Sequence, residues 1–270
     1  MSKPFLKWAG GKAKLVPFIE FNLPDKPRKR LIEPFAGSAA LSLALEFEYY
    51  LLNDANPDLI GLYQILKQEK QAFIDFARSF FTSENNQESR FYELREQFNA
   101  SGDLSERSAL FVYLNRHAFN GLCRYNSAGK FNVPFGRYRA PYFPEMEMQQ
   151  FVQKSSRIDL MCGDFKKALG LMQASDMVYC DPPYVPLSET SSFTTYAKGG
   201  FNDEDQIRLA NDAQKMAVLN QGILISNHDT AFTRKIYCTA RIECVEVQRN
   251  IAAKGGSRKK VKELLAVYGE

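Results

Sequence analysis

The chain has 270 residues, 45% of them hydrophobic, which is enough to bury a substantial core as one large domain or one domain carrying an insertion. No apolar run approaches the roughly 18 residues that span a bilayer, and the N-terminus has neither an apolar signal region nor a small-residue cleavage pattern, so the expected compartment is the cytoplasm. The five cysteines are scattered, odd in number and never in a Cys-x-x-Cys pair, which indicates reduced thiols rather than a disulfide framework or a zinc site, and the formal charge of +4 is too small to define a class of partner.

In chain order, the first segment with a pattern is Phe5-Leu6-Lys7-Trp8-Ala9-Gly10-Gly11-Lys12, which holds the only tryptophan and a lysine on either side of a glycine turn. It is not a Walker-type phosphate loop, because the glycines are adjacent and Ala13 follows the lysine. On composition alone an exposed, flexible segment is an equal reading. Arg30 to Phe35 reads as a buried strand, closed by Gly37, with Ser38 expected to cap an apolar helix through about Glu46. The small-residue turn Glu33-Pro34-Phe35-Ala36-Gly37-Ser38-Ala39 lets backbone approach a ligand, and makes Phe35 and Gly37 candidate binding residues. A second strand, Tyr49 to Leu52, ends at Asn53 and Asp54, and Asn56-Pro57 reads as the cap and first turn of another helix. Asp54 lies 17 residues past Gly37, at the strand tip where nucleotide-binding α/β folds place an acid on ribose hydroxyls. A lone glycine turn is as often a simple tight connection; Asp54 adds weight to the binding reading.

From about Lys70 to Phe119 the periodicity is helical and strongly charged, as an inserted helical domain would be. Between Leu110 and Pro144 there are five basic residues (Arg116, Arg124, Lys130, Arg137, Arg139), nine aromatic ones and no Asp or Glu, a mixture suited to phosphate contact and base stacking. Strand patterns return at Ile158 to Cys162, Met177 to Cys180, Gly222 to Ser226, Ile242 to Val247 and Leu264 to Tyr268, with a helix from about Asp203 to Asn220. Ser188 to Gly200 reads as a loop. A second acid-free run, Gln248 to Lys262, carries Arg249, Lys254, Arg258, Lys259, Lys260 and Lys262 around Gly255-Gly256. A single charged run is usually a solvated face; two in one chain point towards nucleic acid.

The most informative residues are Asp181-Pro182-Pro183-Tyr184, directly after the apolar strand Met177 to Cys180. The end of a sheet strand is where α/β enzymes build active sites. Two prolines fix two φ angles and remove two backbone donors, so Asp181 and the neighbouring carbonyls present only acceptors. An amino group brings two donors. Adenine N6, whose lone pair is delocalised into the ring, would be held in line with a methyl donor by Asp181 and the Pro182 carbonyl, with Tyr184 stacked on the base. The blander reading is a strand-end turn with a capping Asp.

Together these residues resemble the Dam-type, D12 class DNA adenine methyltransferases. Matching pieces occur in order: Lys7 to Lys12; Glu33 to Gly37; Leu114-Asn115-Arg116, Asn120 to Asn126 and Phe131 to Tyr138; Asp181 to Tyr184; and Ile225 to Asp229. One position departs, since Ala39 stands where the family often has a second glycine at the turn. The resemblance implies a Rossmann-like, S-adenosylmethionine-dependent α/β sheet over 1–57 and 156–270. It implies an inserted, mainly helical target-recognition domain over 58–155 that carries a β-hairpin. It further implies S-adenosyl-L-methionine held by Trp8, Lys12, Asp54 and Asp181, with Asp54 on the ribose and Asp164 near the donor's adenine. Double-stranded DNA would be read at GATC, with Phe119, beside Asn120, as the wedge at a flipped adenine. Lys7, Leu122, Arg124, Pro134 and Tyr138 would face bases, and Arg95, Arg116, Asn126, Asn132 and Arg137 phosphates. No metal, membrane or obligatory protein partner is indicated, and the expected location is the cytoplasm, at the nucleoid through DNA. Methylation of RNA or of a protein glutamine needs the same acceptor geometry, but the insertion argues against it. A non-catalytic DNA-binding regulator is a reading of another class, opposed by the intact Asp181 to Tyr184 motif.

Overall fold

The structure is a computed structural model and describes residues 3–25, 28–187, 200–218, 222–248 and 260–269. Its elements run α1 (Val16–Phe21), β1 (Arg30–Glu33), α2 (Ala40–Ala44), β2 (Tyr49–Asp54), α3 (Pro57–Glu69), α4 (Gln71–Arg78), α5 (Glu88–Ala100), α6 (Leu104–His117) and α7 (Glu145–Lys154). They continue through β3 (Ile158–Cys162), α8 (Phe165–Leu169), β4 (Asp176–Cys180), α9 (Asp203–Val218), β5 (Gly222–His228), α10 (Ala231–Ile236), β6 (Arg241–Gln248) and β7 (Lys260–Tyr268). The strands expected from the apolar runs are all present, within a residue or two at most ends.

They form one seven-stranded sheet in the order β3-β2-β1-β4-β5-β7-β6. The first five are parallel, and β7 runs antiparallel between β5 and β6. β4 and β5 are buried along their whole length, as central strands covered on both faces must be. Successive side chains alternate between two cores. Leu31, Met177, Tyr179 and Leu224 face one, and Ile32, Val178, Cys180, Ile223 and Ile225 face the other. The second core is closed by Phe165, Ala168 and Leu169 of α8 and Leu209, Ala210 and Ala213 of α9. The first is continuous with the helices between β2 and β3: Leu62 and Tyr63 of α3, Phe73 of α4, Phe91 and Phe98 of α5 and Phe111 of α6 belong to it. α6 is buried on all sides from Ser108 to His117, the signature of a helix at the centre of a layer. No helix among the described residues is long and apolar enough to cross a membrane.

Local chemistry explains several of the helix ends. Asn56 caps α3, its side-chain oxygen accepting from Asp58 N at 2.9 Å and Leu59 N at 3.3 Å, with Pro57 in the first turn. The expected cap at Ser38 does not form. Gly37 and Ala39 both take left-handed conformations, φ 46° and 52°, so α2 starts only at Ala40, with Ala39 in the cap position and no side chain closing it. A left-handed non-glycine residue costs about 1–2 kcal/mol, which is why glycine suits this position. Here the Ala39 methyl is fully buried in the first core. The other end of this five-residue helix is closed by a buried lysine from α7. Lys154 Nζ donates to the carbonyls of Ser42 (3.2 Å), Leu43 (3.1 Å) and Leu45 (2.8 Å) and pairs with Glu46 at 2.8 Å.

The expected hairpin is present as an arm held by two isolated antiparallel bridges, Ala118↔Phe135 and Tyr125↔Phe131, rather than by a continuous ladder. Pro134 has no N–H to add to a ladder, and the Asn126 side chain takes the N–H groups of Ala128 and Lys130 at the arm's tip, both at 3.0 Å. Residues 188–199 of the expected Ser188 to Gly200 loop lie outside the described residues. So do Arg249, Lys254, Gly255, Gly256, Arg258 and Lys259 of the second basic run.

Candidate active site

The sheet order reverses at β1, whose neighbours β2 and β4 lead away in opposite directions, and such a switch point leaves a crevice beyond the carboxyl ends of the strands. Three candidate segments meet there because the parallel register brings them level, Ile32 lying opposite Val178 and Leu51. They are the Glu33 to Ala39 turn after β1, Asp54 at the end of β2, and Asp181 after β4.

The turn and Asp54 are locked together. Asp54 accepts from Gly37 N at 2.9 Å on one carboxylate oxygen and from Asn56 N at 2.9 Å on the other, and Tyr63 Oη donates to Gly37 O at 2.6 Å. Gly37 serves two purposes. Its φ of 46° is left-handed, and a Cβ built on it would lie 2.8 Å from Trp8 Nε1 and 2.9 Å from Trp8 Cδ1. Trp8 therefore lies directly against the turn. Four residues on, Lys12 Nζ forms an ion pair with Asp181 Oδ1 at 3.0 Å, donates to Gly10 O at 2.6 Å, and sits 4.5 Å from the centre of the Tyr184 ring. One short N-terminal segment thus touches the ends of both β1 and β4.

The charges are unevenly balanced. Burial raises the carboxyls of Asp54 and Asp181 above their ordinary range, opposed at Asp54 by backbone donors and at Asp181 by Lys12. Glu33, 3% exposed, accepts from Ser42 N at 2.9 Å and from the Ser42 hydroxyl. Burial pushes Glu33 up to about 7 against those two bonds, and the charge of Asp181 adds to the rise. Of these carboxyl groups only Asp181 is paired with an ammonium, that of Lys12, and so acidic a site suits a cation.

The backbone after Asp181 is fixed by residues from other elements. Gln206 of α9 donates to Pro183 O at 2.7 Å, Val185 N donates to Asn227 of β5 at 3.1 Å, and His228 Nδ1 bonds Val185 O at 2.6 Å. Asn227 is itself held by Gln206 at 3.0 Å and Tyr237 at 3.2 Å. Among the described residues, no donor reaches Pro182 O. Gln206 has no signal in the sequence; Asn227 lies in a matching motif but without an assigned role. Phe35 and Asp164 have partners of their own beside these strand ends. Phe35 stacks on Phe165 at 5.3 Å and meets Phe201 edge-on at 5.4 Å. Asp164 caps α8 through Lys166 N at 2.9 Å and pairs with Arg208 at 2.8 Å; burial raises its carboxyl, but these partners hold it below the usual range.

The remaining candidates gather around the arm. The Asn115 side chain clasps the backbone of Lys7 at 2.8 and 2.7 Å, and Lys7 Nζ lies 4.4 Å from the Tyr138 ring centre. Tyr138 Oη accepts from Asn120 N at 2.9 Å, and Phe119 N donates to Pro134 O at 2.8 Å, which presents the Phe119 ring 49% exposed on a braced turn. Arg124 reaches across the arm to Asn132 Oδ1 at 2.8 Å and is exposed; Leu122 is half-buried. Arg137 has a side chain 76% exposed and pairs with Glu88 at 3.1 Å. Arg95 packs on Tyr92 at 4.8 Å and contacts Val133 O at 3.4 Å. Arg116 differs from the other basic candidates. It is 8% exposed, donates to Phe5 O and lies 5.5 Å from the Tyr142 ring centre, so it braces the N-terminal segment from within instead of presenting its charge to solvent.

The model of the D12 class N6 adenine-specific DNA methyltransferase family matches residues 8–251 of this chain. A DNA adenine methylase of Vibrio cholerae serotype O1 is 48% identical over 268 residues, covering 98% of this chain and 96% of the relative. The DNA adenine methylase of Escherichia coli K12 is 45% identical over 267 residues, covering 99% and 95%, and that of Haemophilus influenzae 46% identical over 269 residues, covering 99% and 94%.

Proposed function

The chain belongs to the D12 class N6 adenine-specific DNA methyltransferases, and we propose that it methylates the adenine of GATC in double-stranded DNA, on a base turned out of the helix. The observation that carries this reading is the meeting, at one switch point, of the Gly37–Asp54 lock and the Lys12–Asp181 pair, with Pro182 O next along the chain and met by no donor among the described residues. S-Adenosyl-L-methionine, when bound, supplies an electrophilic methyl group on a sulfonium cation. The residues fit it chemically. The carboxylates of Asp54 and Asp181 outweigh the single ammonium of Lys12, Trp8 walls the turn, and Asp54 retains lone pairs for ribose hydroxyls.

The chain's own part in transfer is to hold the amino group. Asp181 and Pro182 O accept its two N–H bonds, which favours a tetrahedral nitrogen with its lone pair available. Tyr184 stacks on the base. A methylated amino nitrogen is cationic and sheds its proton readily, so Asp181 acts by position rather than as a strong base. Adenine N6 cannot reach this site from within a duplex, and the exposed Phe119 ring is suited to fill the vacated stack. Residues 58–155 serve as the reading unit, with Arg124, Leu122, Pro134, Tyr138 and Lys7 towards bases and Arg95, Arg137, Asn126 and Asn132 towards phosphates.

Asp181→Ala tests the chemical core of this reading. Methyl transfer should be lost while DNA affinity is retained, since no phosphate contact is removed. Activity within tenfold of wild type, about 1.4 kcal/mol of barrier, would sink the role.

A further inference from the structure

Tyr184 is held by more than the Asp181 motif. Its hydroxyl donates to Glu263 Oε2 at 3.0 Å, and its ring meets His228 edge-on, with centroids 4.8 Å apart and planes at 81°. Glu263 and His228 are register partners across β5 and β7, so the two contacts come from one rung of the sheet. His228 is anchored in turn by its bond to Val185 O at 2.6 Å, and Glu263 is 9% exposed, in a strand that carries no motif. Lys12 Nζ lies 4.5 Å from the centre of the same ring. The ring is thus held at its hydroxyl and at its edge by a cross-strand pair.

We propose that Glu263 is a positioning residue for methyl transfer, acting through the Tyr184 hydroxyl to hold the ring against which the target base stacks. The inference rests on the stacking role given to Tyr184 above. A buried carboxylate with a single hydrogen-bonded partner on the Tyr184 side fixes the ring's tilt, and the arrangement of base and methyl donor follows that tilt. Asp181 also draws on the Tyr184 hydroxyl, so Tyr184→Phe should slow transfer at least as much as Glu263→Ala, and the loss from Glu263→Ala should vanish in the Phe background.

A double-mutant cycle on single-turnover methylation tests this, with Tyr184→Phe, Glu263→Ala and their combination. Each single variant should transfer about tenfold more slowly, the scale of one hydrogen bond at a reacting centre. The combination should be no more than twofold slower than the worse single variant. Affinity for S-adenosylhomocysteine, measured by calorimetry, should stay within twofold of wild type in all three. Glu263→Gln, which retains an acceptor, should recover most of the rate, whereas a role through charge alone would leave it as slow as Glu263→Ala. Multiplied losses of about a hundredfold in the combination, or a wild-type rate for Glu263→Ala, would overturn the proposal. If Glu263→Ala melts early, Glu263→Met, which fills the space without an acceptor, takes its place in the cycle with the same expected and overturning outcomes. An additive cycle in an enzyme that methylates adenine normally would refute only this inference; a wild-type protein that methylates no adenine would refute the reading beneath it.

Discussion

Gly37→Ala is the substitution whose consequences can be worked out most fully. The residue has φ 46°, where alanine is strained by about 1–2 kcal/mol. The added methyl would also lie 2.8 and 2.9 Å from Trp8 Nε1 and Cδ1, an overlap of the kind that costs about 1–3 kcal/mol in a packed interior. If Trp8 stays in place the loss of stability is therefore about 2–5 kcal/mol. If Trp8 swings away the strain alone remains, and the donor site loses its wall. Urea unfolding and calorimetric titration with S-adenosylhomocysteine distinguish these outcomes, and either a loss above about 2 kcal/mol or a tenfold weaker affinity, about 1.4 kcal/mol, is expected. In a Trp8→Ala background the overlap is gone, so the same substitution should cost only the backbone strain. Gly102→Ala is the internal control, because nothing lies within 4 Å of its Cβ and its φ is not positive; it should be neutral or slightly stabilising. Gly37→Ala with stability within about 0.5 kcal/mol of wild type and unchanged affinity would refute the reasoning, since surface-like changes fall in that range.

Two further predictions use the site and the arm. Glu33 titrates at about 7 in the folded chain against 4.5 ordinarily, so its raised value makes stability complete below about pH 4.5 and reduces it as pH rises through 7. Glu33→Gln keeps an acceptor for Ser42 and should be more stable than wild type by up to about 3 kcal/mol at pH 8.5, the gap closing at pH 4.5; an equal difference at both pH values would contradict this. Arg124→Ala should cost about 1–3 kcal/mol on GATC and much less on sites altered at one outer base pair, shrinking the ratio of rates. Arg137→Ala should instead weaken all sites alike and lower the salt slope of binding by about one; its exposed pair with Glu88 contributes little to folding. Equal losses on every sequence for Arg124→Ala would remove its reading role.

The strands were legible because each is a short apolar run with polar ends, and the α3 cap because Asn-Pro is a local signal. What was hidden depends on conformations and partners far apart in the chain. Ser38 looks like a cap until Ala39 turns left-handed after it. The basic Arg116 reads as a surface charge, yet its guanidinium donates to Phe5 O, 111 residues away. The clamp on the backbone of Pro183 and Val185 uses Gln206, Asn227 and His228, polar residues that alone mark nothing and converge only when α9 packs beside β5. Glu263 is likewise invisible, one residue before the apolar run Leu264 to Tyr268 that reads as the strand, because its partner Tyr184 lies 79 residues earlier. By contrast, Gly37, Asp54, Lys12 and Asp181 sit at strand ends or in a glycine turn, where chemistry and sequence pattern coincide, and the parallel register brings them together.

The central claim is tested most directly by incubating the purified protein with S-adenosyl-L-methionine and duplex DNA, then digesting with nucleases that distinguish methylated from unmethylated GATC, alongside mass analysis of the nucleosides. The account predicts N6-methyl-2′-deoxyadenosine as the product and conversion of GATC sites well before other adenines. A methylated cytosine, or adenines modified equally in every sequence context, would contradict it.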